Sequence, residues 1–505
     1  MPPVPSSSTR GAGALLLGLA VVGLILATGQ VAVIELGVPA AALVAGLALH
    51  RRRPAAYVAL TWWAFLLAPA LRRLVDYATD YSAASPVMLA PYLPVAPAAI
   101  EAVRSLPLLR RRELLPFGLA LAGVLFGYAV GVLKHGLAAP TFDLLEWAGP
   151  VCFGLYTVRA WGAYPLVRDA VQRTFTWGVL VVGVYGVVQF FALPPWDAFW
   201  MEHAGMRSIG LPEPLKVRVF STLNAPGPLA SVLVAGLVLL LAGRGAGRWP
   251  AAAAGYAALL LSLVRTAWLG WAVGVVVLVA RSRPGRRGRL VVALALVGAL
   301  GLSLSSLHPA LNVVGARLDT MGDVGADHSL RERIAFLAHV GGAAFVNPLG
   351  NGLGSTGRAT KLTTGSTTVF DNGVANVPYV LGWPGGLLYA GGVLLLIAGA
   401  LRGLRGAPGR RPAEGVATAL VAVGVATLAQ MLSANTLVGL SGMVFWGFTG
   451  LAVAERVWRT AQGPPDDAPA PDGPAPGVDA GRPLPTRAGP PARTPALHLR
   501  HDAAH

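Results

Sequence analysis

The first 460 residues offer one apolar window after another, each close to the roughly 20 residues that an α-helix needs to cross a bilayer. The windows fall at about 10–29, 31–49, 55–70, 86–103, 115–133, 145–163, 175–193, 226–242, 249–264, 266–281, 290–306, 374–401, 414–433 and 436–457. This pattern restricts the fold more than any motif does, because a lipid-exposed backbone must close its hydrogen bonds within a helix or a closed barrel. Composition agrees: 54% of the 505 residues are hydrophobic and only 12% are charged, about half the charged share of a soluble domain. The expected fold is an all-α polytopic membrane protein of about 12–14 transmembrane helices.

The charge balance is +17, from 40 Lys and Arg against 23 Asp and Glu. In a soluble chain such basicity would point to nucleic acid. Here the arginines collect in loops at 51–53, 110–112, 281–289 and 402–411, which alternate with loops poor in net charge. Positive loops stay cytoplasmic, so the charge reads as orientation and nucleic acid is not an expected partner. The parity places both termini in the cytoplasm and the long connections, about 194–225 and 307–373, outside. The first window is read as a retained span, since the chain returns to apolar sequence directly after Gly29. The single cysteine, Cys152, excludes an internal disulfide framework and a cysteine-based metal cluster. Residues 461–505 turn to Pro, Ala, Gly, Asp and Arg without apolar periodicity, which fits a disordered cytoplasmic tail. No internal repeat appears, so a transporter of duplicated halves gains no support.

Four polar groups fall on the side assigned as external. Lys216 to Pro228 ends the first long loop; Ser221, Thr222 and Asn224 suit a helix N-cap, and Pro226 suits a first turn. Arg218 beside that helix start outlines an anion site, although Lys216 and Arg218 could equally reach to lipid headgroups. Arg265 breaks an apolar stretch too long for one helix and long enough for two. Asp327 to Gly354 contains Arg331 and Arg333 on an amphipathic helix, with apolar residues at 330, 334, 337, 338 and 341, followed by a Gly-rich turn. Asp371 and Asn372 stand at the mouth of the next span, where Asp371 could serve as a base or simply as a helix N-cap.

In order and spacing these groups resemble the O-antigen ligase and polysaccharide polymerase superfamily of bacterial membrane glycosyltransferases. The resemblance rests on Arg218 to Pro226, on Ser262-Leu263-Val264-Arg265 with Thr266 to Leu269, and on Ser329 to Arg333 followed by Asn347-Pro348-Leu349-Gly350-Asn351-Gly352-Leu353-Gly354. It rests also on Leu381-Gly382-Trp383-Pro384-Gly385-Gly386. It covers roughly 216–390. Before residue 170 it is carried by hydropathy and by Leu71-Arg72-Arg73-Leu74-Val75-Asp76-Tyr77, which is similar to actinobacterial members. Many relatives carry His-Asn where this chain has Asp371-Asn372.

The resemblance implies a GT-C-like fold in the inner membrane, over residues 1–460, with one large extracytoplasmic loop. It also implies transfer of a glycan from a polyprenyl-diphosphate donor to a saccharide or glycolipid acceptor on the outer face. Arg218, Arg265 and Arg333, with Arg331 as a fourth, would bind the diphosphate, and Asp371 would take the acceptor proton as catalytic base. Arginine forks bind phosphate oxygens bidentately, so neither metal nor other cofactor is expected. Two alternatives remain open from sequence: a flippase for lipid-linked saccharides, and an inactive membrane relative.

Overall fold

The computed structural model describes residues 31–282, a few positions between 287 and 298, and residues 347–364, 372–404 and 415–462. The first apolar window, most of the window at 290–306, the amphipathic segment around Arg331 and Arg333, Asp371 and the tail after 462 lie outside the described residues.

Helices dominate. They are α1 (Val31–Arg52), α2 (Pro54–Ala78), α3 (Ala96–Arg104), α4 (Leu115–His135), α5 (Ala138–Arg159), α6 (Tyr164–Ala192) and α7 (Pro195–His203). They continue as α8 (Pro226–Ala242), α9 (Arg248–Leu261), α10 (Arg265–Ala280), α11 (Gly373–Gly403), α12 (Val416–Gln430) and α13 (Gly439–Ala461). Among the described residues no strand forms, and the only bridge pairs Gly210 with Val217. Among the described residues, six segments are long and apolar enough to cross a membrane: Val33–Arg52, Pro54–Ala78, Pro86–Arg104, Leu115–His135, Trp161–Ala192 and Gly373–Gly403. Three shorter apolar helices, α8, α10 and α12, accompany them. The chain is therefore an all-α membrane protein.

Two windows differ from a simple apolar rod. Pro86–Arg104, with Pro86, Pro91, Pro94 and Pro97, forms two short 3-10 turns, Pro86–Leu89 and Leu93–Val95, before α3. Proline removes the N–H that a regular helix would use and disfavours helical geometry just before it. Helix α5 reaches bilayer length but carries buried Asp143 and Glu146 near its start, at the edge of the window at 145–163.

Small residues set the packing. Helix α4 lies against α11, and α5 against α13. A Cβ on Gly123 would stand 2.4 Å from the Gly385 carbonyl oxygen, and one on Gly154 would stand 2.5 Å from that of Trp446. Close backbone approach replaces the hydrophobic drive that lipid cannot supply between helices. Deeper in, Trp62 meets Phe153, Phe175 and Phe448 edge-on at centroid distances of 5.7, 5.0 and 5.7 Å, the geometry that the ring quadrupoles favour. That contact joins α2, α5, α6 and α13 in one core.

Candidate functional site

The loop before α8 is fixed from below by a buried arginine. Arg73, near the end of α2, is fully buried and pairs with Asp197 of α7 at 2.7 Å. Its remaining N–H groups donate to the Ser221 and Leu223 carbonyls, both at 2.5 Å, and to Asn224 Oδ1 at 2.9 Å. The second Asp197 oxygen accepts from Gln189 Nε2 at 2.6 Å and Tyr185 Oη at 3.0 Å. Gln189 Oε1 then accepts from the Phe220 and Ser221 N–H groups at 3.0 and 2.8 Å. These bonds hold Ser221 at φ 53°, a left-handed conformation that a residue with a Cβ adopts only when its surroundings enforce it. Burying such a pair is costly unless every lone pair and proton is matched, and this network matches most of them.

Asn224 is therefore occupied with Arg73 and does not cap α8. The N-cap is Ala225, without a side-chain bond, and Pro226 takes the first helical position as expected from sequence. Thr222 is buried and Ser221 turns its hydroxyl to the Val182 carbonyl.

Arg218 and Arg265, the two described arginines of the expected set, meet around one break in the chain. Helix α9 ends at Leu261, Leu263 takes φ 55°, and α10 begins at Arg265 with Val264 as its N-cap. The expected break at Arg265 is thus present. Arg218 is half-buried and donates through Nη2 to the Leu263 carbonyl at 3.4 Å and through Nη1 to the Ser208 carbonyl at 3.0 Å. Val219 N–H also donates to the Leu261 carbonyl at 3.2 Å, which fastens the loop to the end of α9. Arg331, Arg333 and Asp371 lie outside the described residues, so their positions relative to this pair are not described.

A second group of charges, which reading from the sequence passed over, forms around Arg358. Its Nη2 donates to Tyr92 Oη at 2.8 Å and to the Glu146 carboxylate of α5. The neighbouring Glu146 carboxylate, then Tyr92, hold the Arg358 guanidinium above its ordinary range. Asp143, one turn before Glu146, accepts from the Gly354 N–H at 2.9 Å. Lys361 is exposed, yet desolvation, followed by repulsion from Arg72 and Arg358, lowers it from the ordinary lysine value. Arg72 itself pairs with Asp76 at 3.1 Å and lies over the Tyr81 ring at 5.6 Å. Arg72, Arg358 and Lys361 thus form a cationic set beside the Arg73 network. The signal that singled out Arg265, a charge at the end of an apolar helix, applies equally to Arg72 and Arg73.

The Gly-rich turn explains how these charges are held. Residues 347–354 insert between α4 and a kink in α11 at Gly382, φ 66°. Asn351 and Gly352 N–H groups donate to the Tyr379 and Val380 carbonyls at 2.8 and 2.9 Å, and Leu353 N–H donates to the Gly127 carbonyl at 2.9 Å. Trp383 N–H donates back to Pro348 at 2.8 Å. Lys134 and His135, at the end of α4, reach the Gly350 and Asn351 carbonyls at 2.6 and 2.9 Å. Gly350 and Gly352 have φ of 75° and 80°, and a Cβ on either would lie 2.3 Å from a backbone nitrogen. The Leu381-Gly382-Trp383-Pro384 motif supplies the matching kink.

Asn372 forms the N-cap of α11, its Oδ1 accepting from Ala375 N–H at 2.9 Å. The capping role that sequence offered to Asp371 belongs to its neighbour. Among the described residues no three His, Cys, Asp or Glu side chains come together as a group able to hold a metal ion.

No protein-family model matches this chain, and no curated protein matches it either.

Proposed function

We propose that this chain is a membrane glycosyltransferase that moves a glycan from a polyprenyl diphosphate to a saccharide acceptor, in the manner of O-antigen ligases and polysaccharide polymerases. One observation carries the reading: Arg218 donates to the carbonyl two residues before Arg265, at the start of α10. Two arginines from distant segments thereby share one end of the bundle, where fixed cations suit a phosphorylated leaving group.

In the proposed reaction the acceptor hydroxyl oxygen attacks the anomeric carbon of the donor. The bond from that carbon to the diphosphate oxygen breaks, and its electron pair leaves with the diphosphate. Arg218 and Arg265, with Arg333 and Arg331, stabilise the charge that grows on those oxygens, the group of interactions that contributes most to such barriers. Asp371 accepts the hydroxyl proton as general base. The network around Arg73 keeps the Arg218 loop in place, and Asn372 caps α11. The reading places the reaction on the outer face of the inner membrane, in a GT-C-like bundle of 12–14 spans with both termini in the cytoplasm.

The test is glycan transfer by purified full-length protein in detergent, supplied with lipid-linked oligosaccharide and an acceptor saccharide. Detergent removes the two compartments, so a flippase would score zero. Arg218→Ala and Arg265→Ala are each expected to lower turnover by about 100-fold, the effect of deleting one preorganised charge stabiliser. Transfer at the wild-type rate in both variants would overturn the diphosphate assignment.

A further inference from the structure

At the other end of α8 lies a cation-lined chamber that the proposed reaction does not use. Helix α8 begins at Pro226 beside the Arg73 network and runs 17 residues to Ala242, a length of about 25 Å. There a cavity of about 640 Å³ opens, lined by Arg168, Arg173, Arg244 and Arg248 and walled by Trp177 and Leu239. This is within the range of small-molecule sites. The starts of α9 and α12, at Gly247–Arg248 and Gly415–Val416, also face it. Two helix N-termini add their partial positive charge to that of the arginines.

Among the described residues, Asp169 is the only acid in the lining of this chamber, and it pairs with Arg168 at 2.7 Å. Arg248 donates to the Gly243 carbonyl at 2.6 Å and lies 4.6 Å from the Trp249 ring centroid. Arg173 and Arg244 are exposed and have no ion-pair partner among the described residues. Against this chamber stands a second cavity of about 340 Å³, which shares Arg244 and Arg248. Its other walls are mostly apolar: Leu237, Leu241, Ala252, Tyr256 and Leu290. Trp177 and Trp249 flank the pair and are 60% and 61% exposed, as suits rings at a membrane–water boundary.

We infer that this pair of cavities binds one anionic phospholipid, its phosphodiester headgroup among Arg173, Arg244 and the two helix starts and an acyl chain in the adjoining apolar slot. A free phosphate would use the chamber but not the slot. Basic pockets between membrane helices are suited to such headgroups. This inference concerns the opposite end of α8 from Arg218 and Arg265 and stands or falls apart from glycan transfer.

Retention of radiolabelled phosphatidylglycerol by the full-length protein in detergent measures it, with phosphatidylcholine and inorganic phosphate as comparison probes. The expected result is selective retention of phosphatidylglycerol, reduced about ten-fold or more by Arg173→Ala with Arg244→Ala. Arg51→Ala with Arg52→Ala, which removes the same charge from an exposed site at the end of α1, should leave retention unchanged. An unchanged thermal unfolding midpoint in lipid-free detergent shows that each variant is folded. Equal retention of phosphatidylcholine, an equal loss in the Arg51 and Arg52 variant, or full displacement by millimolar phosphate would each overturn the inference.

Discussion

Arg73 and Asp197, 124 positions apart in the chain, meet at 2.7 Å with neither side chain exposed. The pair joins α2 to α7, and through the Ser221 and Leu223 carbonyls it fixes the shape of the loop that carries Arg218.

Removing one partner leaves a buried charge without its counter-ion. Asp197→Asn is expected to cost about 3–5 kcal/mol of stability, read as a lower thermal unfolding midpoint in detergent. Arg73→Met together with Asp197→Leu should recover part of the loss. Recovery will be incomplete because the Ser221 and Leu223 carbonyls lose their donor, and buried acceptors without partners are costly.

The Arg358–Glu146 contact allows a double variant of the same kind. Arg358→Ala leaves Glu146 beside Asp143 with no cation, whereas Arg358→Ala with Glu146→Gln removes the uncompensated charge. A double-mutant cycle on unfolding midpoints should return a favourable coupling of about 1–2 kcal/mol. Additive effects would show that the contact carries no energy of its own.

Alanine substitutions at the glycines separate close packing from backbone conformation. Gly352→Ala meets the backbone of Gly131 at 2.3 Å, while Gly357 has φ 73° with nothing within 4 Å of a new Cβ. Gly357→Ala should cost about 1–3 kcal/mol, the penalty alone of a backbone conformation that is nearly confined to glycine (φ 73°, ψ −154°). Gly352→Ala should cost clearly more and should prevent the turn at 347–354 from seating, measured as greater protease cleavage near Asn351.

For α11 the neighbouring residues Asp371 and Asn372 can be told apart. Asn372→Ala is expected to cost about 1 kcal/mol through loss of the cap. Asp371→Asn leaves the Asn372 cap in place, so a fall in glycan transfer without a change in unfolding midpoint assigns Asp371 to the chemistry.

Lys361 supplies a pH dependence. Its folded value lies below the ordinary 10.5, so between the two values the unfolded chain binds more protons and stability rises with pH. Lys361→Met removes the desolvation of the ammonium and, after it, the repulsion from Arg72 and Arg358. The variant should unfold at a higher temperature than wild type near pH 7, and the difference should shrink as pH approaches 10.5.

Much of this architecture follows from one-dimensional patterns. The windows at 115–133 and 374–401 became α4 and α11 with small changes at their ends, whereas the one at 175–193 became α6 only after an earlier start at Tyr164. Pro226 and the break before Arg265 fell where local rules put them, because proline geometry and helix length act within a few residues. The Arg73 network was not legible for the opposite reason. Arginine on an apolar helix reads as a topology mark or a ligand group until Asp197, Gln189 and Ser221 are brought around it by the fold. Asp143 and Glu146 escaped notice similarly, since their partners Gly354 and Arg358 stand more than 200 positions away. The cap on α11 failed at finer grain: Asp and Asn cap equally well, and only the backbone shows which of two adjacent residues occupies the position.

The turn at 347–354 also bears on the order in which the protein can be completed during synthesis. Its acceptor on one side, the Gly127 carbonyl, and the side chains of Lys134 and His135 emerge early. On the other side, the Tyr379 and Val380 carbonyls emerge after the turn itself. A nascent chain released before Tyr379 would hold Asn351 and Gly352 with their N–H groups unmatched. The full set of bonds to the turn therefore exists only once about three quarters of the chain has been made, at Val380.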